Sequence, residues 1–271
     1  MKHFILSVPP GADGMIRLYE KDYHYLVRVR RLRPGMCFSA VLPDGAETRV
    51  RILSTVDGIL IGEVQDRVEP VPGARNGRQL PPIALFQGLP RGAKMDLIVR
   101  QAAEGGISII APFESEYSTV HLAENTVSPA ENSREKVKRW ERIIREARQQ
   151  SGSAVETAVR PPCSFRALLE YWESLKRQYR HPVGILLHQE PLEKGTLHNY
   201  LGNDPDFAVL AVGPEGGFSS GEVSLFLAAG FRPLLMGNTI LRTETAALYG
   251  SAAIRIILLE SESWAPRESC S

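Results

Sequence analysis

Between Phe207 and Tyr249 the chain twice repeats one local grammar: a short apolar run, a glycine-bearing loop, then a helical pattern. The runs Phe207–Val212 and Arg232–Met236 have the length of buried strands, and strands alternating with helices imply a parallel α/β sheet. In open sheets of that kind ligands collect beyond the carboxyl ends of the strands. The first loop, Gly213-Pro214-Glu215-Gly216-Gly217, lets backbone adopt positive φ and approach a ligand closely. The second, Gly237-Asn238-Thr239-Ile240-Leu241-Arg242-Thr243-Glu244-Thr245, is polar and apolar by turns. Either loop alone fits an ordinary strand-to-helix turn. Two in succession favour a site.

The pattern upstream agrees. Ile83–Leu89 and Ile107–Phe113 read as strands around a helix over Lys94–Glu104, whose Met95, Ile98, Val99 and Ala102 share one face. A long helix over Ser133–Gln150 places Val137, Trp140, Ile144 and Ala147 toward a core. Arg134, Lys138, Arg142 and Arg145 form a separate basic stripe, which fits RNA contact or a solvated face. Ser164–Arg177 is a further helix, with Phe165, Leu168, Leu169 and Trp172 inward, and Val183–Leu187 is the next strand. Ser219 and Glu222 make a capping box, and Gly230 closes that helix. The helix opened by Leu241–Thr245 carries so little charge in its first half that it must be buried, against the body or another chain. The β–α–β alternation predicts a mainly parallel sheet with helices on its faces.

The first seventy or so positions differ. His3–Val8, Met36–Leu42, Glu47–Leu53 and Ile59–Val64 are strand candidates, with turn residues at Pro43-Asp44-Gly45 and Asp57-Gly58. A short helix over Glu20–Val29 presents Tyr23, Leu26 and Val27 on one face, and short strands around one helix suggest a small barrel. Arg28, Arg30, Arg31 and Arg33 follow with no acidic residue from Tyr23 to Pro43. Such a cluster can neutralise phosphates; it also fits a solvated basic loop. Glu69–Pro82, rich in proline and glycine, is the best linker, which gives expected domains 1–74 and 75–271.

Net charge is +1, so affinity for nucleic acid has to come from such local patches. The opening residues hold too short an apolar run for a signal peptide, and no run is long enough to span a bilayer. Cys37, Cys163 and Cys270 are scattered and the histidines fall singly, so neither a disulfide framework nor a metal site is expected and a cytoplasmic setting is natural. The glycine loop matches neither GxGxxG nor a P-loop, and no GxSxG elbow is present. What remains is a glycine-lined pocket with few fixed charges. It suits a flat, partly apolar ligand such as an adenosine-type cofactor, among others.

GPEGGFSSGE at Gly213–Glu222 and LMGNTILRTETAAL at Leu235–Leu248 resemble the signature loops of the 16S rRNA (uracil-N3)-methyltransferase family, part of the SPOUT superfamily of trefoil-knotted methyltransferases. The resemblance covers nearly the whole chain. It includes His24 with Val27, Arg28 and Val29; Lys94-Met95-Asp96 with Glu104-Gly105-Gly106-Ile107; and Lys138-Arg139-Trp140 with Glu146-Ala147. The chain departs from the family pattern at Gln149-Gln150-Ser151-Gly152-Ser153, where relatives carry an "EQSGR"-like end, at Lys2-His3-Phe4, and at Gly105.

The resemblance implies a PUA-like β-barrel that grips RNA, then a knotted α/β methyltransferase domain, in a homodimer. S-adenosylmethionine would lie against three loops, at Leu187, His188 and Glu190; at Gly213, Pro214, Glu215, Gly216 and Gly217; and at Met236, Gly237, Ile240, Leu241 and Arg242 with Thr245. The reaction would be methyl transfer to N3 of a uridine in 16S rRNA of the small subunit. Arg242 would stabilise negative charge on the uracil or a phosphate, and Glu244 would act as a base, orient Arg242, or simply favour the helix dipole. RNA contacts would come from Arg28, Arg30, Arg31, Arg33, Lys94, Lys138, Arg142 and Arg145. Two alternatives stay open: a SPOUT enzyme acting at another RNA position, and a non-catalytic RNA-binding assembly factor.

Overall fold

The computed structural model describes residues 4–6, 8–43, 46–68, 80–118, 129–190 and 195–260. The chain divides into two compact units, residues 1–78 with 148–154, and residues 79–147 with 155–271. The expected linker lies outside the described residues up to position 79, and so does the expected boundary at Arg75.

The first unit holds β1 (Phe4–Ile5), β2 (Met15–Leu18), α1 (Glu20–Tyr23) running into a π-helical stretch (His24–Val29), β3 (Cys37–Val41), β4 (Glu47–Val56) and β5 (Ile59–Val68). Its five strands pair in the order β1-β3-β4-β5-β2. β1 runs parallel to β3 and the other pairs are antiparallel. Asp57 and Gly58 both take positive φ between β4 and β5, the backbone of a tight hairpin whose twist matches its strands. Phe4, Leu6, Ile16, Leu18, Leu26, Phe38, Val50, Ile52 and Leu60 form the core, and Tyr23 and Val27 pack on it beside Leu26. Sequence reasoning missed β2, because four residues are too few to display alternation. The helix of Glu20–Val29 is also not a plain α-helix, for Arg30 N–H donates to Tyr25 O, a five-residue step.

The second unit holds β6 (Ile83–Gly88), α2 (Lys94–Glu104), β7 (Ile109–Glu114), α3 (Pro129–Ser151), β8 (Ala158–Val159), β9 (Cys163–Ser164), α4 (Phe165–Gln178), β10 (Pro182–Leu187), α5 (Leu197–Leu201), β11 (Phe207–Val212), α6 (Ser220–Ala228), β12 (Arg232–Leu234) and α7 (Thr243–Glu260). The sheet order is β12-β10-β11-β6-β7-β8, with β9 also on β7. All these pairs are parallel. β11 shows why both faces need helices. Ala208, Leu210 and Val212 enter one apolar cluster, while Phe207, Val209 and Ala211 enter the other. The first cluster draws on α2, α3, α5 and α7, the second on α4 and α6. Order reverses between β6 and the β10–β12 side, which marks the crevice at their carboxyl ends as the place for a ligand.

One expectation needs correction. β12 stops at Leu234, so Leu235 and Met236 belong to the following loop. In the final helix Ala247, Gly250, Ile254 and Leu258 face inward, while Leu248, Tyr249, Ile256 and Leu259 are exposed. Gly250 lets α7 lie close on the sheet, because a Cβ there would stand 2.7 Å from Leu210. No helix among the described residues is long and apolar enough to cross a membrane.

Candidate functional site

The loops after β10, β11 and β12 close around one cavity of about 780 Å³. Leu187, His188 and Glu190 border it from the first loop. Gly213, Pro214, Glu215, Gly216 and Gly217 border it from the second, and Met236, Gly237, Ile240, Leu241 and Arg242 from the third. Thr245 and Glu244 do not line it, whereas Gln189, Phe218, Asn238, Thr239 and Thr243 do. Val223 and Leu227 of α6 add apolar wall, and Lys94 contributes an ammonium.

The glycine loop is held from several directions. A Cβ on Gly213 would stand 2.9 Å from the carbonyl carbon of Gly217, and one on Gly88 only 2.6 Å from Pro214 Cδ. Gly217 itself has φ +72°, which favours glycine. Thr243 Oγ1 donates to Gly213 O at 2.6 Å and accepts from Gln87 Nε2 at 2.9 Å. Gln87 also donates to Gly88 O at 2.9 Å. Both side chains are buried, so the ends of β6, β11 and the start of α7 become one hydrogen-bonded unit. Sequence reasoning missed Gln87 and gave Thr243 no role. The one available signal was an amide in the otherwise apolar run Ile83–Leu89.

Glu215 and Lys94, expected to meet cofactor and RNA respectively, both line the cavity and pair with each other. Lys94 Nζ lies 2.6 Å from Glu215 Oε1, and Arg91 N–H donates to the same carboxylate at 3.1 Å. Partial burial pushes the Glu215 carboxyl up, but the Lys94 ammonium and the backbone N–H groups of Glu215 and Arg91 outweigh it. Its pKa therefore lies below the usual range. In the first loop His188 Nδ1 lies 3.1 Å from Glu190 N and 3.2 Å from Glu190 O, so the imidazole is held against the backbone of its own loop.

The third loop is open by contrast. Gly237 takes φ +105° with no atom within 4 Å of a Cβ placed there, and Ile240 is 79 % exposed. Arg242 is exposed, and its guanidinium has no ion pair or hydrogen bond among the described residues. Glu244 is half-buried, with Oε2 enclosed and without a hydrogen-bond partner.

The RNA methyltransferase domain family model matches residues 78–255, which include every loop just described. The chain belongs to this family. It is 31 % identical to the Ribosomal RNA small subunit methyltransferase E of Synechocystis sp., over 91 % of this chain and 74 % of that protein. With the Ribosomal RNA small subunit methyltransferase E 2 of Borreliella burgdorferi it shares 28 % identity over 95 % of this chain and 98 % of the relative. The fold is that of the Neisseria gonorrhoeae Ribosomal RNA small subunit methyltransferase E, solved bound to S-adenosyl methionine. The TM-score is 0.73 at 23 % identity, covering 95 % of this chain and 98 % of that one.

In this RNA methyltransferase chain the basic residues fall into separate groups. Arg28, Arg31 and Arg33 are exposed and Arg30 half-buried, all in the first unit at or just after the π-helical stretch. Lys138, Arg142 and Arg145 are exposed along α3. Lys94 lies at the cavity wall. The "KMD" and "RW" stretches meet: Trp140 Nε1 donates to Asp96 Oδ1 at 3.2 Å, and Arg139 pairs with the same carboxylate. Their sequence signature is thus at least partly a packing signature.

Proposed function

We propose that this protein transfers the methyl group of S-adenosylmethionine to N3 of a uridine in 16S rRNA. The observation that carries the reading is the convergence of three loops on one cavity, in a chain whose relatives are named as ribosomal RNA small subunit methyltransferases. The N. gonorrhoeae protein of the same fold is bound to that cofactor.

The cavity suits such a group. Backbone of Gly213–Gly217 and Met236–Leu241 forms much of its wall, and Leu187, Val223, Leu227 and Met236 add apolar surface for a flat ring. Side chains at Gly213 and Gly88 would collide with backbone of the loop that shapes this wall. Bound here, S-adenosylmethionine would supply an electrophilic methyl carbon on a positively charged sulfur. The chain's work is then to align the base and exclude water. Arg242, exposed at the rim with a free guanidinium, would balance negative charge on the uracil or an adjacent phosphate. Glu244 neither lines the cavity nor bonds to Arg242, so of its three expected roles the first-turn acid favoured by the dipole of α7 is the one best supported.

The same reading includes the finer features. The five-stranded N-terminal sheet would act as a PUA-like barrel, with Arg28, Arg30, Arg31 and Arg33 on phosphates. Within the second unit, Lys138, Arg142 and Arg145 of α3 would also contact phosphates. The β11–α7 region would be knotted. The protein would work in the bacterial cytoplasm as a homodimer, covering Leu248, Tyr249, Ile256 and Leu259 of α7.

The test is mass spectrometry of 16S rRNA nucleosides from a strain lacking this gene, with and without the wild-type copy. Restoration of 3-methyluridine is expected. A methyl group restored at a ribose 2′-hydroxyl, or none, defeats the reading.

A further inference from the structure

Tyr117 is a half-exposed aromatic, 49 % accessible, beside the cavity rather than in its wall. Its setting is rigid. Ser118 N–H donates to Ser115 O at 2.9 Å, and Ser115 N–H donates to Ser118 Oγ at 3.0 Å, closing a tight turn after β7. The buried Glu222 carboxylate fastens that turn to the start of α6. It accepts from Ser115 Oγ and Glu116 N–H, each at 2.9 Å, and from Ser219 N–H at 3.0 Å. The capping-box glutamate therefore serves a second purpose: it fixes the one residue of this turn that projects an aromatic ring.

The base of the Tyr117 side chain, not its ring, packs on the glycine loop. A Cβ on Gly216 would stand 2.7 Å from Tyr117 Cβ and 3.5 Å from the first ring carbon. The ring makes no aromatic or cation–π contact within the described residues. So a half-exposed aromatic side chain stands next to the loop that forms the wall of the cavity.

A target base inside the cavity forces its neighbours outside, unstacked. Bases of single-stranded RNA in that state are held by stacking on aromatic side chains. The geometry points to Tyr117 as the stacking platform for a nucleotide flanking the methylated uridine, an inference that rests on the RNA methyltransferase reading above. Because the turn is already ordered, stacking would cost little additional ordering.

The test measures affinity for a 16S rRNA transcript and for S-adenosylmethionine separately, in wild type and in Tyr117→Ala, Tyr117→Phe and Tyr117→Leu. Tyr117→Ala is expected to weaken RNA binding roughly 5- to 150-fold, the range that stacking of one base supplies. Cofactor affinity and the thermal midpoint should stay at wild-type values, with RNA binding restored by Phe and not by Leu. Unchanged RNA affinity in Tyr117→Ala overturns the inference. So do equal rescue by Leu, a parallel loss of cofactor affinity, and a wild-type protein that does not bind the transcript. Methyl transfer is scored apart. A wild type that binds RNA through Tyr117 yet moves no methyl group keeps Tyr117 as a stacking platform for RNA and overturns its placement beside a methylated uridine.

Discussion

Two loops of the same cavity are built on opposite plans. The glycine loop after β11 is gripped by Thr243 and Gln87 beneath, and by Lys94 and Arg91 at Glu215. The loop after β12 has Gly237, Asn238, Thr239 and Ile240 exposed and an unpaired Arg242 at its end. The first presents backbone in a fixed shape; the second presents side chains free to meet what enters. A site can thus divide its labour, with stability and shape in one wall and adaptability in the other. Changes in the open loop should alter function alone, and changes in the clamped loop should alter function together with stability.

The largest expected effect tests the open side. Arg242→Ala should lower turnover by about 10²-fold, the usual loss when one charge-stabilising donor is removed, while thermal unfolding stays at the wild-type midpoint. A fall in stability as large as the fall in rate would break the comparison. Next comes Gly213→Ala, which drives a methyl group against Gly217 backbone that cannot yield. It should destabilise by about 1–3 kcal/mol and weaken cofactor binding as well, read by denaturant unfolding and calorimetry.

Thr243→Val should be milder. It leaves Gly213 O and Gln87 Nε2 without their shared partner, costing about 1–2 kcal/mol, whereas Thr243→Ser should keep most of the lost stability and affinity. The smallest effect belongs to Glu215→Gln. Because the folded-state pKa of Glu215 lies below its ordinary 4.5, its contribution is complete above that value and fades as pH falls through the lowered one. Wild type should therefore exceed the variant by no more than about 1 kcal/mol at neutral pH. The difference should vanish in acid, as followed by urea titrations across the range.

The regular elements of the second unit were readable because they repeat a period. Lys94–Glu104 was anticipated to the residue by Met95, Ile98, Val99 and Ala102, and β11 by its unbroken apolar run. The capping box at Ser219 and Glu222 announced where α6 begins. Two of the cavity's loops were marked by their glycines and the one at Leu187–Glu190 by family resemblance alone, signals of backbone rather than of contacts. What escaped was contact between distant positions. Gln87 and Thr243 stand 156 positions apart, so no local window connects them. The pairing of Lys94 with Glu215 escaped for the same reason, since each alone reads as a charge waiting for a ligand. β2 was lost differently, being too short to show a pattern.

The hydroxyl that closes the glycine loop sits at the beginning of the last described helix, and this has a consequence for how the protein is made. During translation Gln87 and the glycine loop leave the ribosome well before Thr243 does. Until α7 docks, the Gln87 amide lacks its Thr243 partner, and one face of the sheet lacks the part of its cover that Ala247, Ile254 and Leu258 supply. A ribosome paused upstream of α7 would therefore carry a nascent chain without a finished pocket. Competence waits on the closing helix.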